Sequence, residues 1–115
     1  VLIGASIGAN LALWYAIEHP EVRQLVLLSP GINYRGIAAE PLVKKLQIGQ
    51  RVFFATSEDD VRSGGNNADM NRALHHVVPE AVDKKLLVYR VAGHGTDMFG
   101  KEQPDLETEI LHWLR

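Results

Sequence analysis

Val1-Leu2-Ile3-Gly4-Ala5-Ser6-Ile7-Gly8-Ala9-Asn10 sets a run of β-favouring apolar residues directly against a Gly-x-Ser-x-Gly pentapeptide, and a helical pattern begins at once beyond it. A strand that ends in a sharp turn with serine at the apex, and leaves that turn as a helix, is how a nucleophile elbow is built. Gly4 and Gly8 carry no β-carbon, so the backbone can close a strained turn and strand and helix can touch. Ser6 is then expected to project its hydroxyl above the sheet edge. The next N–H, that of Ile7, is expected at a helix N-terminus, where unpaired donors and the helix dipole can hold a developing oxyanion. Composition alone would give such a pentapeptide in roughly one chain in twenty-five of this length. The strand before it and the helix after it therefore carry the argument.

Working outward, the segment from Ile7 to His19 has Leu11, Trp14, Tyr15 and Glu18 at helical spacing from Ile7, with Ala9, Ala12 and Ala16 between them. Small residues suit a helix packed tightly on a sheet, and Pro20 ends it. Gln24 to Leu28 is a continuous apolar run of the kind found in parallel strands covered on both faces. Ser29-Pro30-Gly31 closes it and Ile32 to Gly36 is expected as loop. Glu40-Pro41 opens a second helix with Leu42, Val43, Leu46 and Ile48 as its apolar stripe and Gly49 as its end. Arg51 to Thr56 is the third strand, Ser57 to Asn67 a loop with Gly64-Gly65 as its flexible part, and a helix runs from about residue 68 to 78, stopping before Pro79. Lys85 to Val91 is the fourth strand. A loop leads to a last helix from Pro104, with Leu106, Ile110, Leu111 and Leu114 as its core face. Four alternations of strand and helix predict an α/β fold, a parallel sheet with helices on both faces. Reactive groups in such sheets collect beyond the strand C-terminal ends. Ser6, the Asp59/Asp60 pair and His94 all fall there.

The bulk numbers bound the class. A chain of 115 residues with 46% hydrophobic and 23% charged content holds one core and one domain, 1–115. Its net charge of −2 argues against nucleic acid or an anionic membrane surface as the main partner. No apolar run approaches about 18 residues, so no bilayer-spanning segment is expected. The absence of cysteine excludes disulfides and thiolate metal sites while leaving the redox compartment open. The sequence opens inside a strand pattern and without Met, so we expect it to be the C-terminal portion of a longer domain. A cytoplasmic location is expected, with a signal peptide left open.

A serine hydroxyl is a poor nucleophile at neutral pH and needs a base, and the base needs an orienting acid. Histidine serves because its pKa lies near neutrality, and a carboxylate on its other nitrogen fixes the tautomer. His94 lies in Ala92-Gly93-His94-Gly95-Thr96-Asp97 directly after a strand, with glycine on both sides. His19, His75, His76 and His112 lie in or at the end of helices without a metal-like partner at i+4, so no metal site is expected. Ser57-Glu58-Asp59-Asp60 offers three adjacent carboxylates, of which one can face His94. Either order, Ser6…Asp59…His94 or Ser6…Asp60…His94, is nucleophile, acid, base.

These motifs together resemble the C-terminal half of an α/β-hydrolase, most like the serine esterases and dienelactone-hydrolase-like members, over essentially the whole chain. Gly4-Ala5-Ser6-Ile7-Gly8, Ser29-Pro30-Gly31, Thr56-Ser57-Glu58-Asp59-Asp60 and Gly93-His94-Gly95-Thr96-Asp97 fall where that family has its elbow, post-strand loop, acid turn and histidine loop. The resemblance implies that the chain supplies the fifth to eighth strands of an eight-stranded sheet. It implies Asp60 as the acid, because the family's acid turn reads Gly-x-x-Asp and Ser57 holds the Gly place. The serine at position 6, where dienelactone hydrolases have cysteine, favours ordinary ester, thioester or amide substrates. The expected activity is a serine hydrolase acting on a small acyl substrate through an acyl-enzyme, with Ser6, Asp60 and His94 catalytic, Ile7 at the oxyanion hole, and no cofactor. The family's second oxyanion donor sits on a loop after the third strand, which this sequence does not contain, so weak or no activity is expected of these residues alone. Tyr34, Arg35, Arg62 and Met98 are candidates to line a pocket. Two other classes compete: a non-catalytic α/β-hydrolase-like binding module, and a dinucleotide-binding domain. The latter is disfavoured because Asn10 stands where its fingerprint has glycine and the second strand ends in Ser29 without an acid for the ribose.

Overall fold

A computed structural model describes residues 1–62 and 64–115. Its elements are β1 (Leu2–Ala5), α1 (Ile7–Glu18), β2 (Gln24–Leu28), β3 (Asn33–Tyr34), β4 (Ile37–Ala38), α2 (Ala39–Val43), β5 (Arg51–Ser57), α3 (Asn67–His76), β6 (Asp83–Tyr89) and α4 (Leu106–Trp113), with a 3-10 turn at Gly95–Met98. The main sheet runs β1-β2-β5-β6 and every pairing in it is parallel. Leu2 pairs with Leu25, Leu25 with Val52 and Val52 with Lys84, so the four strands run in parallel register, β5 and β6 extending two residues beyond the ends of β1 and β2. That registry brings the segments after β1, β2, β5 and β6 to one edge of the sheet.

Strand order follows chain order, so successive crossovers step across the sheet in one direction. Crossovers of one hand stepping one way place their helices on one face. Accordingly α1, α2 and α3 share a core with Leu25, Leu27, Val52 and Phe54. The alternate residues Val26, Leu28, Phe53 and Ala55 point the other way, where Leu106 and Ile110 of α4 and Met98 cover them. β2 and β5 are thus buried on both faces, as their unbroken apolar sequence requires.

α1 packs on the sheet by its small residues, as expected, and three other elements differ from expectation. The buried face of α1 is Ala9, Asn10, Ala12, Leu13 and Ala16, while the larger Leu11, Trp14 and Tyr15 are about half exposed, at 46%, 50% and 50%. The small residues win the sheet side because only they let the helix axis approach the strands. Residues 32 to 36, expected as loop, begin a hairpin in which Asn33 pairs with Ala38 and Tyr34 with Ile37. Its two central residues, Arg35 and Gly36, both take positive φ (51° and 86°), as a tight two-residue hairpin turn demands. An Arg-Gly pair is a weaker sequence signal for that turn than Asn-Gly. α2 is shorter than its apolar stripe suggested: Val43 and Leu46 are buried, and Ile48 is 80% exposed. In α4, Asp105 caps the helix by accepting from the Thr108 N–H, and Leu111, expected in the core face, is exposed.

Gly4, and not Gly8, is the position where a β-carbon is forbidden. A β-carbon on Gly4 would lie 2.2 Å from the Gly8 carbonyl oxygen, whereas one on Gly8 meets nothing within 4 Å. Gly4→Ala is expected to destabilise the fold by about 3 kcal/mol, because the obstructing atoms are backbone and cannot rotate away. A urea unfolding midpoint unchanged by Gly4→Ala would contradict this packing, and Gly8→Ala, a change in the first turn of α1, is expected to be tolerated.

Candidate active site

Ser6 sits between the last residue of β1 and the first of α1 with φ 56° and ψ −126°. This backbone conformation is costly for a residue with a β-carbon and persists only when its surroundings over-determine it. Here the Ser6 N–H donates to the Leu28 carbonyl at 2.9 Å, and the Ser6 carbonyl accepts from Ala9 at 2.9 Å. The close approach at Gly4 packs the turn from below. Ile7 is the first residue of α1, so its N–H has no intrahelical acceptor.

Asp60 lies one turn beyond β5 and is 3% exposed. Its N–H donates to the Ser57 carbonyl at 3.2 Å, its backbone carbonyl accepts from Asn67 at 2.8 Å, and its Oδ1 accepts from the Arg62 N–H at 3.2 Å. His94 follows β6 and precedes the 3-10 turn. Its Nδ1 is 2.5 Å from Asp60 Oδ2 and its Nε2 is 2.7 Å from Ser6 Oγ. A carboxylate only accepts, so Nδ1 carries the proton and donates to Asp60. Nε2 is then left with a lone pair to accept from the Ser6 hydroxyl. Residues separated by 34 and 88 positions in sequence thus form one hydrogen-bonded line at the ends of β1, β5 and β6. The histidine side chain is 13% exposed and the Asp60 side chain fully buried, so the line opens to solvent at the serine and histidine end.

Asp59 goes elsewhere. Its Oδ1 accepts from the Ser57 hydroxyl at 2.6 Å and from the Gly93 N–H at 3.0 Å. The Ser57 hydroxyl above all holds its carboxyl below the ordinary value of 3.8; burial, the next largest influence, opposes it, and backbone N–H groups including that of Gly93 add to the lowering. A lowered carboxyl pKa makes this contribution to stability fully present above the unfolded value and lost as pH falls through the lowered one.

Of the other residues named from sequence, Met98 is fully buried in the core with Phe53 and Ala55 of β5. Arg62 Nη2 lies 3.9 Å from Asp97 Oδ2 at the surface. Tyr34 stands over Gly31, where a β-carbon would meet its ring at 2.7 Å, and Arg35 is exposed in the hairpin turn. His19 stacks on Tyr15, with ring centroids 3.9 Å apart, and His75 packs edge-on against Phe54. Burial, then the charge of Lys84, lowers the His75 pKa below 6.5. Among the described residues no group of three His, Cys, Asp or Glu side chains is close enough to hold a metal ion. No described helix is long and apolar enough to cross a membrane.

Several contributors carried no recognisable signal in the sequence. Asn10, buried among the small residues of α1, donates to the carbonyls of Gly31 and Ile37 and accepts from the Gly31 N–H. Asn67 and Asn71 both donate to the Pro30 carbonyl, and Asn67 accepts from the Thr56 hydroxyl. Ser29, fully buried with φ 54°, accepts from the Gly95 N–H at 2.8 Å. A polar residue on an otherwise alanine-rich helix face was the available clue to Asn10. Nothing local marked Ser29. A groove of about 490 Å³ lies away from Ser6, between β1 and the outer face of α1, where Ile3, Leu11, Trp14 and Tyr15 line it.

No protein-family model matches the chain, and no curated protein matches it. Solved structures do. An esterase domain from Rhodothermus marinus superposes with a TM-score of 0.63 at 17% identity, over 80% of this chain and 49% of that one. A predicted CIB-like hydrolase from Thermoplasma acidophilum superposes with a TM-score of 0.62 at 12% identity, over 97% of this chain and 46% of that one. The chain therefore has an α/β-hydrolase-like fold. It spans about half the length of each of these structures.

Proposed function

We propose that this chain carries the catalytic residues of a serine hydrolase that cleaves an ester, thioester or amide through an acyl-enzyme. The observation that carries the reading is the Ser6–His94–Asp60 line, with its 2.7 Å and 2.5 Å contacts. Ser6 Oγ attacks the acyl carbonyl carbon as His94 Nε2 takes the hydroxyl proton. The carbonyl oxygen becomes an oxyanion, for which the Ile7 N–H at the start of α1 is one donor. Collapse expels the alcohol, thiol or amine, which leaves with the proton returned by His94. Water then repeats the sequence on the acyl-Ser6, and the free acid departs. Asp60 holds the ring in the tautomer that leaves Nε2 free and stabilises the imidazolium formed in each half. No cofactor enters this scheme. The esterase and hydrolase names of the similar structures agree with the reaction class.

The test is intact mass after treatment with a fluorophosphonate, with circular dichroism alongside. One phosphonyl adduct, absent from Ser6→Ala, is expected. An adduct that survives Ser6→Ala overturns the proposal, and so does a folded chain that takes no adduct and still takes none when extended N-terminally to supply the second oxyanion donor, which favours a non-catalytic module on the same fold.

A further inference from the structure

The segment that carries His94 has no ladder to hold it. β6 ends at Tyr89, and glycines with φ of 85° and 60° flank the histidine at positions 93 and 95. Glycine has the widest backbone freedom of any residue, so a segment of this kind samples many orientations unless its N–H groups are tied down. They are tied to side chains. Arg90 and Val91 both donate to Glu102 Oε2, at 3.0 and 2.5 Å. Ala92 donates to Ser57 Oγ at 2.8 Å, Gly93 to Asp59 Oδ1 at 3.0 Å, and Gly95 to Ser29 Oγ at 2.8 Å. The last three acceptors grip the positions two before, one before and one after His94, and they come from the ends of two different strands, β2 and β5.

We propose that Ser29, Ser57 and Asp59 are positioning residues, whose oxygens hold the His94 segment by its backbone so that the imidazole stands between Ser6 and Asp60. This rests on the serine hydrolase reading above and deepens it. The turn Ser57–Asp60 does two things: Asp60 orients the ring, and Ser57 and Asp59 orient the backbone that bears it. Ser57 links the two grips, because its hydroxyl donates to Asp59 while its oxygen accepts from Ala92. Ser29 is itself held in place, by donation of its N–H to the Ala55 carbonyl at 2.8 Å. In this role Asp59 acts as an acceptor, and its charge is incidental. Displacing a reacting group by about 1 Å can cost 10²-fold in rate, which sets the expected size of the effect.

The experiment compares Asp59→Ala, Asp59→Asn and Ser29→Gly in the full chain. Glycine at 29 removes the hydroxyl without straining a residue already at positive φ. Three quantities are read: kcat and KM for p-nitrophenyl acetate, the downfield proton resonance of His94 Nδ1–H, and amide exchange at Gly93 and Gly95. Asp59→Ala and Ser29→Gly are expected to lower kcat about 10- to 100-fold, with KM little changed. Both should broaden or shift the ring resonance, and each should speed exchange at the glycine it releases. Asp59→Asn keeps an amide oxygen for the Gly93 N–H and is expected to restore kcat to within about threefold of the parent. Parent values of kcat and ring resonance in both Asp59→Ala and Ser29→Gly overturn the proposal, as does Asp59→Asn falling as far as Asp59→Ala. Asp59 is exposed, so its variants carry the test should Ser29→Gly unfold. A parent chain that neither turns over nor takes the fluorophosphonate, even when extended N-terminally, overturns the hydrolase reading alone, and the ring resonance and amide exchange then decide the clamp.

Discussion

In a chain that also carries the second oxyanion donor, replacing His94 with alanine is expected to lower kcat for a short-chain aryl ester by about 10⁶, and adding Ser6→Ala to that variant is expected to cost little more. The size follows from the line of contacts. Among the described residues Ser6 has one base in reach, Nε2 at 2.7 Å; the other histidines lie in or at the ends of helices, with His19 engaged by Tyr15 and Glu21 and His75 by Phe54. Without that base the hydroxyl must attack still protonated, and the leaving group has no donor for its proton. Removing the serine as well takes away a group that can no longer act, so the two losses do not multiply. The measurement is a cycle of Ser6→Ala, His94→Ala and the double variant, with kcat read above background hydrolysis and folding checked by circular dichroism. Losses that multiply would mean that the two residues work separately, against the proposed mechanism.

Asp60→Asn is expected to lower kcat by about 10⁴ while leaving the fold intact. Asparagine is nearly isosteric, and its amide oxygen can still accept the Arg62 N–H that Asp60 Oδ1 takes at 3.2 Å. What it cannot do is hold His94 in one tautomer. Its amide group can donate to Nδ1, which moves the ring proton to Nε2 and removes the lone pair that Ser6 needs. The imidazolium formed in the reaction also loses its counter-charge, at a side chain that is fully buried and where water cannot take over. Activity in Asp60→Asn within tenfold of the parent would show that the ring does not depend on this carboxylate. The contrast with the neighbouring aspartate is a sharp check. The same Asp-to-Asn change at 59, one residue away, is expected to be nearly silent, because there only an acceptor oxygen is used.

The local rules that made parts of this protein legible are those acting over a few residues. Apolar runs such as Leu25–Leu28 and Val52–Ala55 can be covered only on both faces, which forces a parallel sheet under helices. Pro20 and Pro79 stop helices wherever they stand, and Gly4-x-Ser6-x-Gly8 between an apolar run and a small-faced helix places the strained turn. Elsewhere tertiary contacts decide between local signals. The periodic stripe Leu11, Trp14, Tyr15 is as helical as Ala9, Ala12, Ala16, and only the separation of α1 from the sheet selects the small residues for the inside. Arg35-Gly36 makes a hairpin turn although Arg is a poor signal for one, because Asn33 accepts the Gly36 N–H at 2.8 Å and Asn10 holds the Ile37 carbonyl.

By itself, then, the sequence determined the strand and helix alternation, the elbow at Ser6, and the set of side chains able to act as acid and base, since each follows from residue types at short spacing. Residue chemistry alone left Asp59 and Asp60 open, with only the family resemblance pointing to Asp60; the tertiary structure brings Asp60 to His94 and supplies what holds His94 in place. Asp59 and Asp60 are chemically identical neighbours, and only the turn after β5 sends one to the imidazole ring and the other to the Gly93 N–H. Ser29 and Ser57 have no local mark of their role, because their partners lie 66 and 35 residues further along the chain. Those partners arrive only when β2, β5 and β6 align in parallel register, and no short-range rule reaches that far.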